Sequence, residues 1–260
     1  MAMGLFTWAK PKGNLFESNS TMQCCLCGSP DDLTGEHKIK ASAIRELFSG
    51  PMVIGAFDGE SRPRFAQSAK SKAFHFRARL CGTCNSSRTS AADLEFTEFD
   101  KLARERMEAG LDPGDVFKEP RYTVGGEPYL NLFRYFAKVL ACQIAQEDGP
   151  RILPVTEFAI GKSDFNPVLL AMDLDPAFLA FSQVLGSQEF AAHGGLAMQL
   201  SRLTGLVHCL FSTLTHGKLR YTFSIEFDFR VGLALQRFDP VFHERCVAAH
   251  REAVAAKDSG

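Results

Sequence analysis

Four cysteines with metal-ligand spacing are the clearest chemical feature of this chain. They form two C-x-x-C pairs, Cys24 with Cys27 and Cys81 with Cys84. A C-x-x-C pair places two thiolates on one tight turn, and two such pairs complete a tetrahedral zinc site. We therefore predict one structural zinc ion bound by the four thiolates. The alternative is two unrelated pairs of reduced cysteines.

A glutamate–histidine step and an asparagine lie next to these pairs. Glu36 and His37 follow the first pair, and Asn85 directly follows the second. Hydrolysis of a phosphodiester needs an activated water, a cation and a rigid frame, and histidine is the natural base near neutral pH. Each residue also has a plainer interpretation. His37 would be a surface residue, Glu36 a solvated acid beside Lys38 and Lys40, and Asn85 a helix N-cap.

The order C-x-x-C, E-H, C-x-x-C-N resembles that of the HNH endonucleases, whose catalytic unit is a β-hairpin and a helix around one metal ion. It is most similar to the branch with an E-H-x-x-P fragment and a later C-x-x-C-N. The corresponding fragments are GEHKIKAS from Gly35 and CGTCNSSRTS from Cys81, and the resemblance covers roughly residues 20–105. It implies a metal-dependent endonuclease with a ββα-metal fold. We expect DNA as its substrate and a bacterial defence or restriction system as its setting.

The resemblance also implies a role for each residue of the motif. His37 would be the general base that activates water. Glu36 and Asn85 would ligate a catalytic Mg²⁺ or Mn²⁺ ion, while the zinc would only hold the frame. His75 is the nearest candidate for the middle motif residue and would orient the base or contact the phosphate. Lys40 stands where the family has a proline, three residues after the histidine.

A basic segment between the cysteine pairs is suited to a polyanion. From Lys38 to Ser90 there are ten basic residues against three acidic ones, although the whole chain has a formal net charge of −1. Basic side chains that neutralise phosphates release counterions and so provide sequence-independent affinity. A solvated loop is the alternative. The candidate nucleic-acid-binding residues are Lys38, Lys40, Arg77, Arg79 and Arg88.

The bulk composition indicates an ordinary globular chain. Hydrophobic residues make up 45% and charged residues 23% of the sequence. No apolar run approaches the roughly 18 residues of a membrane span, and the start is too polar for a secretory signal. We therefore expect a cytoplasmic protein without a membrane partner. Scattered cysteines are interpreted as buried packing residues, namely Cys25, Cys142, Cys209 and Cys246.

Two segments of different character must position the motif. The chain is dense in turn residues, cysteines and charges up to about residue 110, and is smoother and more apolar afterwards. We predict an HNH nuclease domain at 1–110 and an α+β domain of unknown role at 111–260. The second domain would bind a protein partner, act as a sensor or mediate homo-oligomerisation. The predicted fold class is α+β, a ββα-metal unit held by zinc followed by an antiparallel sheet with helices.

Hydrophobic periodicity assigns the individual elements. Helices are predicted at 90–110, 129–146 and 240–256. Strict alternation from Leu219 predicts a half-buried strand, paired in a hairpin with the segment from Gly205. Segments 196–202 and 231–236 are expected to extend the sheet, and 166–186 to form two short helices or a strand and a helix.

Other interpretations of the motif stay open. Asp93 and Glu95 are further candidate ligands for the catalytic ion, with exposed helix positions as the alternative. The chain could also be a non-catalytic zinc-dependent nucleic-acid-binding module, in which Glu36 and His37 are incidental. A third possibility is an interaction protein with a vestigial nuclease.

Overall fold

A computed structural model of the chain describes residues 14–40, 74–176 and 191–258, together with 42, 44, 45, 52–54, 64–66 and 178. Several residues of the predicted basic segment, including Arg62, Lys70 and Lys72, lie outside the described residues. Among the described residues, no helix combines the length and the apolarity that a bilayer-spanning segment requires.

The described chain alternates strands and helices. The strands are β1 (Phe16–Glu17), β2 (Leu33–His37), β3 (Met52–Ile54), β4 (Arg64–Ala66), β5 (His75–Cys81), β6 (Arg151–Ile152), β7 (Leu169–Leu174), β8 (Ala191–His193), β9 (Ala197–Leu200), β10 (Val207–His216) and β11 (Leu219–Glu226). The α-helices are α1 (Ser90–Glu108), α2 (Glu127–Gln146), α3 (Leu153–Ala159), α4 (Phe229–Phe238) and α5 (Pro240–Asp258). A π-helix covers Cys84–Arg88, and 3₁₀ helices cover Pro113–Lys118 and Pro120–Tyr122.

The largest sheet is antiparallel and has five strands, in the order β7-β11-β10-β8, with β9 also paired to β10. Alternation along β11 buries Leu219, Tyr221, Phe223 and Ile225, which confirms the predicted half-buried strand. A two-residue turn joins β10 to β11, and Gly217 takes the positive φ of 61° that this turn needs. The mixed α and β content and the antiparallel sheet with helices agree with the α+β part of the predicted fold class.

Three of the predicted helices are present as α1, α2 and α5, but one predicted strand is wrong. Residues 231–236 lie inside α4, because Asp228 ends the extended run and caps a helix. Its side chain accepts a hydrogen bond from Val231 N at 2.9 Å. The segment from residue 166 forms a strand, β7, followed by helical positions at 176 and 178, and its remainder lies outside the described residues.

One buried core joins the segments on both sides of residue 110. Phe96 of α1 stacks on Tyr135 of α2 with ring centroids 4.0 Å apart, and meets Tyr221 of β11 edge-on at 5.6 Å. Cys25 and Cys142, from the two segments, bring their Sγ atoms within 3.6 Å. The four cysteines assigned to packing are all buried. The two-domain division stays a prediction, but α2 packs close to the first cysteine pair.

Candidate functional site

The thiols of the two C-x-x-C pairs converge on one point. The Sγ atoms of Cys24, Cys27, Cys81 and Cys84 all lie within 4.8 Å of one another. Cys27 Sγ and Cys81 Sγ are 3.6 Å apart, close to the roughly 3.8 Å between sulfurs that bind tetrahedral zinc at about 2.3 Å. In the part of the chain that the structure describes, this is the one such group of His, Cys, Asp or Glu side chains. The four thiols could therefore hold a metal ion such as zinc.

Tight turns direct these thiols to a common point. Gly28 N donates to Cys24 O at 2.8 Å, and Gly28 adopts a φ of 77°, which glycine reaches at little cost. In the second pair, Cys84 N donates to Cys81 Sγ at 3.5 Å. The first turn is therefore closed by a backbone hydrogen bond and the second by a hydrogen bond from a backbone N–H to a thiol sulfur, so each C-x-x-C pair forms its own turn.

The thiol group carries negative charge. Hydrogen bonds lower the pKa of Cys24 to about 4, the largest contribution coming from Cys84 and the next from backbone N–H groups of the turns, although burial opposes the shift. Cys84 holds its proton in that hydrogen bond, which raises its pKa. Arg88 donates to Cys84 Sγ at 3.6 Å and adds a positive charge next to the group. One thiolate is thus present near neutral pH and attracts a cation.

The glutamate–histidine step lies at the other end of the same β2–β5 hairpin. His37 pairs with His75 across the strands, and the register shifts between Gly35 and His37, where Glu36 alone lies opposite residues 76–78 of β5. The His37 and His75 rings are in contact, with centroids 3.9 Å apart. A Cβ at position 35 would lie 3.2 Å from His75 Nδ1, so glycine leaves room for that imidazole over β2. The hairpin thus brings the proposed base and the proposed middle residue together.

Asn85 joins the helical segment to β2. Its Nδ2 donates to Thr34 Oγ1 at 2.9 Å and to Gly35 O at 3.2 Å, immediately before Glu36. It lies inside the π-helix rather than at an N-cap. An open pocket of about 440 Å³ lies beside it, lined by Asp32, Thr34, Gly82, Thr83, Asn85, Ser86 and Ser87. The Asn85 Nδ2 group donates to the strand, so the other atom of the amide, Oδ1, is not the one that contacts Thr34 and Gly35.

The Glu36 carboxylate is bound by a lysine from α2. Lys138 Nζ lies 2.9 Å from Glu36 Oε1 and 2.6 Å from Asp93 Oδ1, and the Lys138 side chain is 1% exposed. Burial disfavours the charged ammonium, but the two carboxylates outweigh it and raise the pKa of Lys138. Burial also raises the pKa of Glu36, while Lys138 opposes that shift. An ammonium group therefore occupies the position next to Glu36 where the resemblance implies a divalent ion.

Two of the candidate nucleic-acid-binding residues are engaged within the fold. Lys40 Nζ donates to the backbone oxygen of Asp93 at 2.6 Å and also to Thr97 Oγ1, so it binds α1. Arg77 donates to the backbone oxygen of Gln146 at the end of α2. Both side chains have structural partners that their sequence position did not suggest.

The remaining basic candidates flank the hairpin. Arg77 and Arg79 are exposed on the same side of β5 as His75, because the strand alternates between buried and exposed positions. Lys38 is half-buried, and burial lowers its pKa. Arg88 is exposed beside the cysteine group. Arg79 is therefore an exposed basic residue on the same strand as His75, and Arg88 is one beside the thiols.

The two acidic residues considered as further ligands have different partners. Asp93 shares Lys138 with Glu36. Glu95 is buried rather than exposed, and it accepts hydrogen bonds from Arg121 at 2.7 and 2.9 Å and from Tyr122 at 2.9 Å. It lies on the face of α1 that packs on the segment after residue 110, so only Asp93 reaches the hairpin site.

Sequence reasoning missed Lys138. It stands in a stretch of α2 whose side chains are buried from Leu130 to Ile144 except at Arg134. A lysine that is fully buried in such a helix must have a partner of opposite charge or a hydrogen-bond acceptor. Its position in an apolar stretch of the sequence was the signal that could have indicated a buried ion pair. The sequence does not reveal which acids pair with it, because Glu36 is about one hundred residues away.

Comparison of the chain with protein-family models, curated proteins and solved structures finds no match. The site combines a thiol cluster suited to a metal, two histidines in contact, an amide and a carboxylate–lysine pair. These groups lie on the β2–β5 hairpin and its adjoining turns, except for Lys138, which comes from α2.

Proposed function

We propose that this chain is an HNH-type endonuclease that hydrolyses nucleic-acid phosphodiester bonds, with DNA as the expected substrate. One observation carries the proposal, the hydrogen bond of 3.2 Å from Asn85 Nδ2 to Gly35 O. It joins the start of the helix to the strand residue just before the glutamate–histidine step. The two ends of the motif, about fifty residues apart in sequence, are thus in contact, which supports the proposal.

A zinc ion at the four cysteines would have a structural role in this proposal. The thiol group lies where the loop before β2 meets the turn from β5 into the helical segment. A metal ion there would fix strand, turn and helix relative to one another, and such binding contributes directly to the free energy of folding. A closed set of four thiolates leaves no position for substrate, so the chemistry belongs to the other end of the hairpin.

His37 would take the proton from the attacking water, and His75 would hold the imidazole of His37 in place through the ring contact. Arg77 and Arg79 would bind the phosphate backbone on the outer side of β5. Glu36 Oε2 and Asn85 Oδ1 are oxygen donors of the kind that Mg²⁺ or Mn²⁺ prefers. A divalent ion would neutralise charge on the phosphate. The donor types fit, but the ion must share Glu36 with Lys138.

The test is a cleavage assay with a matched histidine control. Zinc-loaded protein is incubated with labelled DNA or RNA and with Mg²⁺ or Mn²⁺. We expect His37→Ala to slow cleavage by roughly 100-fold or more, the usual contribution of a general base. His208→Ala, on β10 and remote from the hairpin, should cleave like the wild type. Equal cleavage by wild type and His37→Ala would overturn the proposal.

One observation favours a second candidate, a non-catalytic zinc-dependent nucleic-acid-binding module. The ion pair between Glu36 and Lys138 leaves the expected metal ligand with a partner already. In that case the protein would bind nucleic acid through its basic residues and would not cleave it, whichever divalent ion is added. Binding that Arg79→Ala weakens, together with absence of cleavage, would support this candidate over the first.

A further inference from the structure

We propose that Lys138 is a built-in cation that competes with a divalent metal ion for the carboxylates of Glu36 and Asp93. In this view the two acids form a latent metal site whose position the lysine ammonium fills. The inference deepens the proposed function, because it concerns the same Glu36. Its test measures cation binding rather than cleavage, so the two can fail separately.

The geometry of the two carboxylates supports a shared cation position. Glu36 Oε1 and Asp93 Oδ1 both lie within 2.9 Å of one atom, Lys138 Nζ. Oxygen ligands bind Mg²⁺ at about 2.0–2.1 Å and larger divalent ions at somewhat greater distances. A movement of about 0.5 to 0.9 Å for each oxygen would therefore convert an ammonium site into a site for a small divalent ion.

The charges around the pair explain why the lysine would weaken the binding of a second cation. Lys40 Nζ binds the backbone oxygen of Asp93 at 2.6 Å, so a second ammonium group lies close to the pair. Two ammonium groups thus accompany two carboxylates, and a divalent ion would add two positive charges to a partly buried cluster that is already close to neutral. Such an addition is costly in a medium of low dielectric constant. Loss of the Lys138 charge would leave an excess of negative charge.

The surroundings hold Lys138 in this position. Its Nζ lies 5.6 Å from the ring centroid of Tyr135, one turn earlier on α2. His75, Cys25 and Tyr135 are further titratable groups near Glu36, and a positive charge on His75 would favour the glutamate carboxylate. The ammonium is therefore enclosed by an aromatic ring and two carboxylates, with 1% of the side chain exposed.

The experiment compares Mn²⁺ binding by zinc-loaded wild type and Lys138→Met, measured by electron paramagnetic resonance of free Mn²⁺. Methionine keeps the length and the apolar stem of lysine but lacks its charge. We expect Lys138→Met to bind Mn²⁺ roughly tenfold more tightly or better, a usual size for coupling between two ligands. Lys138→Arg keeps the charge and should bind Mn²⁺ as the wild type does. Lys138→Met/Glu36→Gln should lose the gain.

Two results would overturn the inference. One is equal Mn²⁺ affinity in wild type and Lys138→Met, with Glu36→Gln weakening both, because Glu36 would then bind metal with the lysine in place. The other concerns folding. Lys138→Gln is a polar second variant, and Mn²⁺ should raise the melting temperature of both uncharged variants by more than it raises that of the wild type. Failure of both variants to fold even with saturating Mn²⁺ would show that no divalent ion can replace the lysine.

The two proposals remain separable in these experiments. Tighter Mn²⁺ binding by Lys138→Met together with equal cleavage by wild type and His37→Ala would support the latent site and refute the nuclease. Cleavage that needs His37, together with unchanged Mn²⁺ affinity in Lys138→Met, would do the opposite.

Discussion

The two ends of the β2–β5 hairpin are built in different ways. At one end, four cysteines bring their sulfurs within 4.8 Å of one another through two closed turns. At the other end, Glu36 is held by Lys138, a residue that belongs to neither strand of the hairpin nor to the helix that follows. The cysteine end depends on short sequence spacing, whereas the glutamate end depends on how a distant helix packs.

This difference separates two kinds of inference from a motif. A C-x-x-C pair determines its own turn, so its geometry can be deduced from spacing. An E-H step defines only which strand position carries the acid and the base. Whether the acid is open to a metal ion depends on its neighbours in space, and here a buried ammonium lies 2.9 Å from it.

Removal of one thiol should have the largest effect and tests the cysteine end. We expect Cys81→Ser to abolish binding of the metal ion and to lower the free energy of unfolding by more than about 3 kcal/mol, because structural zinc binding is coupled to folding. Chemical denaturation and metal analysis of the purified protein measure both. Cys209→Ala is the matched control, a buried cysteine outside the group, and should cost only about 1 kcal/mol. Similar losses in the two variants would remove the distinction between ligand and packing cysteines.

Removal of the lysine tests the glutamate end. Lys138→Ala leaves two carboxylates without their buried partner, which should cost about 3–5 kcal/mol of unfolding free energy. The exposed Lys101→Ala should change it by less than about 0.5 kcal/mol. A double-mutant cycle with Glu36→Gln should give a coupling energy of about 1 kcal/mol or more. Strictly additive effects of the two substitutions on the unfolding free energy would mean that Glu36 and Lys138 do not stabilise each other.

Asn85 links the two ends, and its removal should have a moderate effect. Asn85→Ala deletes the donors to Thr34 Oγ1 and Gly35 O, which should cost about 1–2 kcal/mol. The neighbouring Ser87→Ala, on the exposed side of the same π-helix, should change stability by less than about 0.5 kcal/mol. Urea denaturation compares the two variants. No difference between them would argue against the bridge from helix to strand.

The smallest expected effect is a pH dependence near the glutamate end. Burial, and then Lys38 beside the histidine pair, lowers the pKa of His193 below its ordinary value of 6.5. The unfolded chain then takes up a proton that the folded chain does not, so stability is lost as pH falls below about 6.5 towards the folded-state pKa. His193→Asn should reduce this slope by up to about 1.4 kcal/mol per pH unit. A residual slope of the same sign is expected from His243, whose pKa burial also lowers. An unchanged slope in His193→Asn would contradict the prediction.

Much of the fold follows from local pattern. Helix-forming residues that end in a glycine indicate α1, apolar residues at helical spacing indicate α2, and strict alternation indicates the β10–β11 hairpin. Helix α5 also lies where a helix was predicted. The error at residues 231–236 came from an alternation that continues to Phe229, past the point where Asp228 caps a helix. The strand alternation and the apolar pattern of the helix overlap at this point in the sequence. The hydrogen bond from Val231 N to the Asp228 side chain marks where the strand ends and the helix begins.

The candidate site shows the limit of local pattern more clearly. The convergence of the cysteines and the contact between His37 and His75 follow from turns and strand pairing. The engagement of Lys40 with α1 and of Lys138 with Glu36 does not, since both depend on the packing of helices against the hairpin. A single buried lysine in α2 predicts that a partner exists, but its identity is a property of the tertiary structure.

X-ray absorption at the zinc edge of the purified wild-type protein tests the difference between the two ends most directly. The account predicts one zinc ion per chain with four sulfur ligands at about 2.3 Å. It also predicts no nitrogen or oxygen in that shell, because the histidines and Glu36 belong to the other end of the hairpin. Zinc bound by nitrogen or oxygen ligands, or protein that is folded without any metal ion, would contradict it.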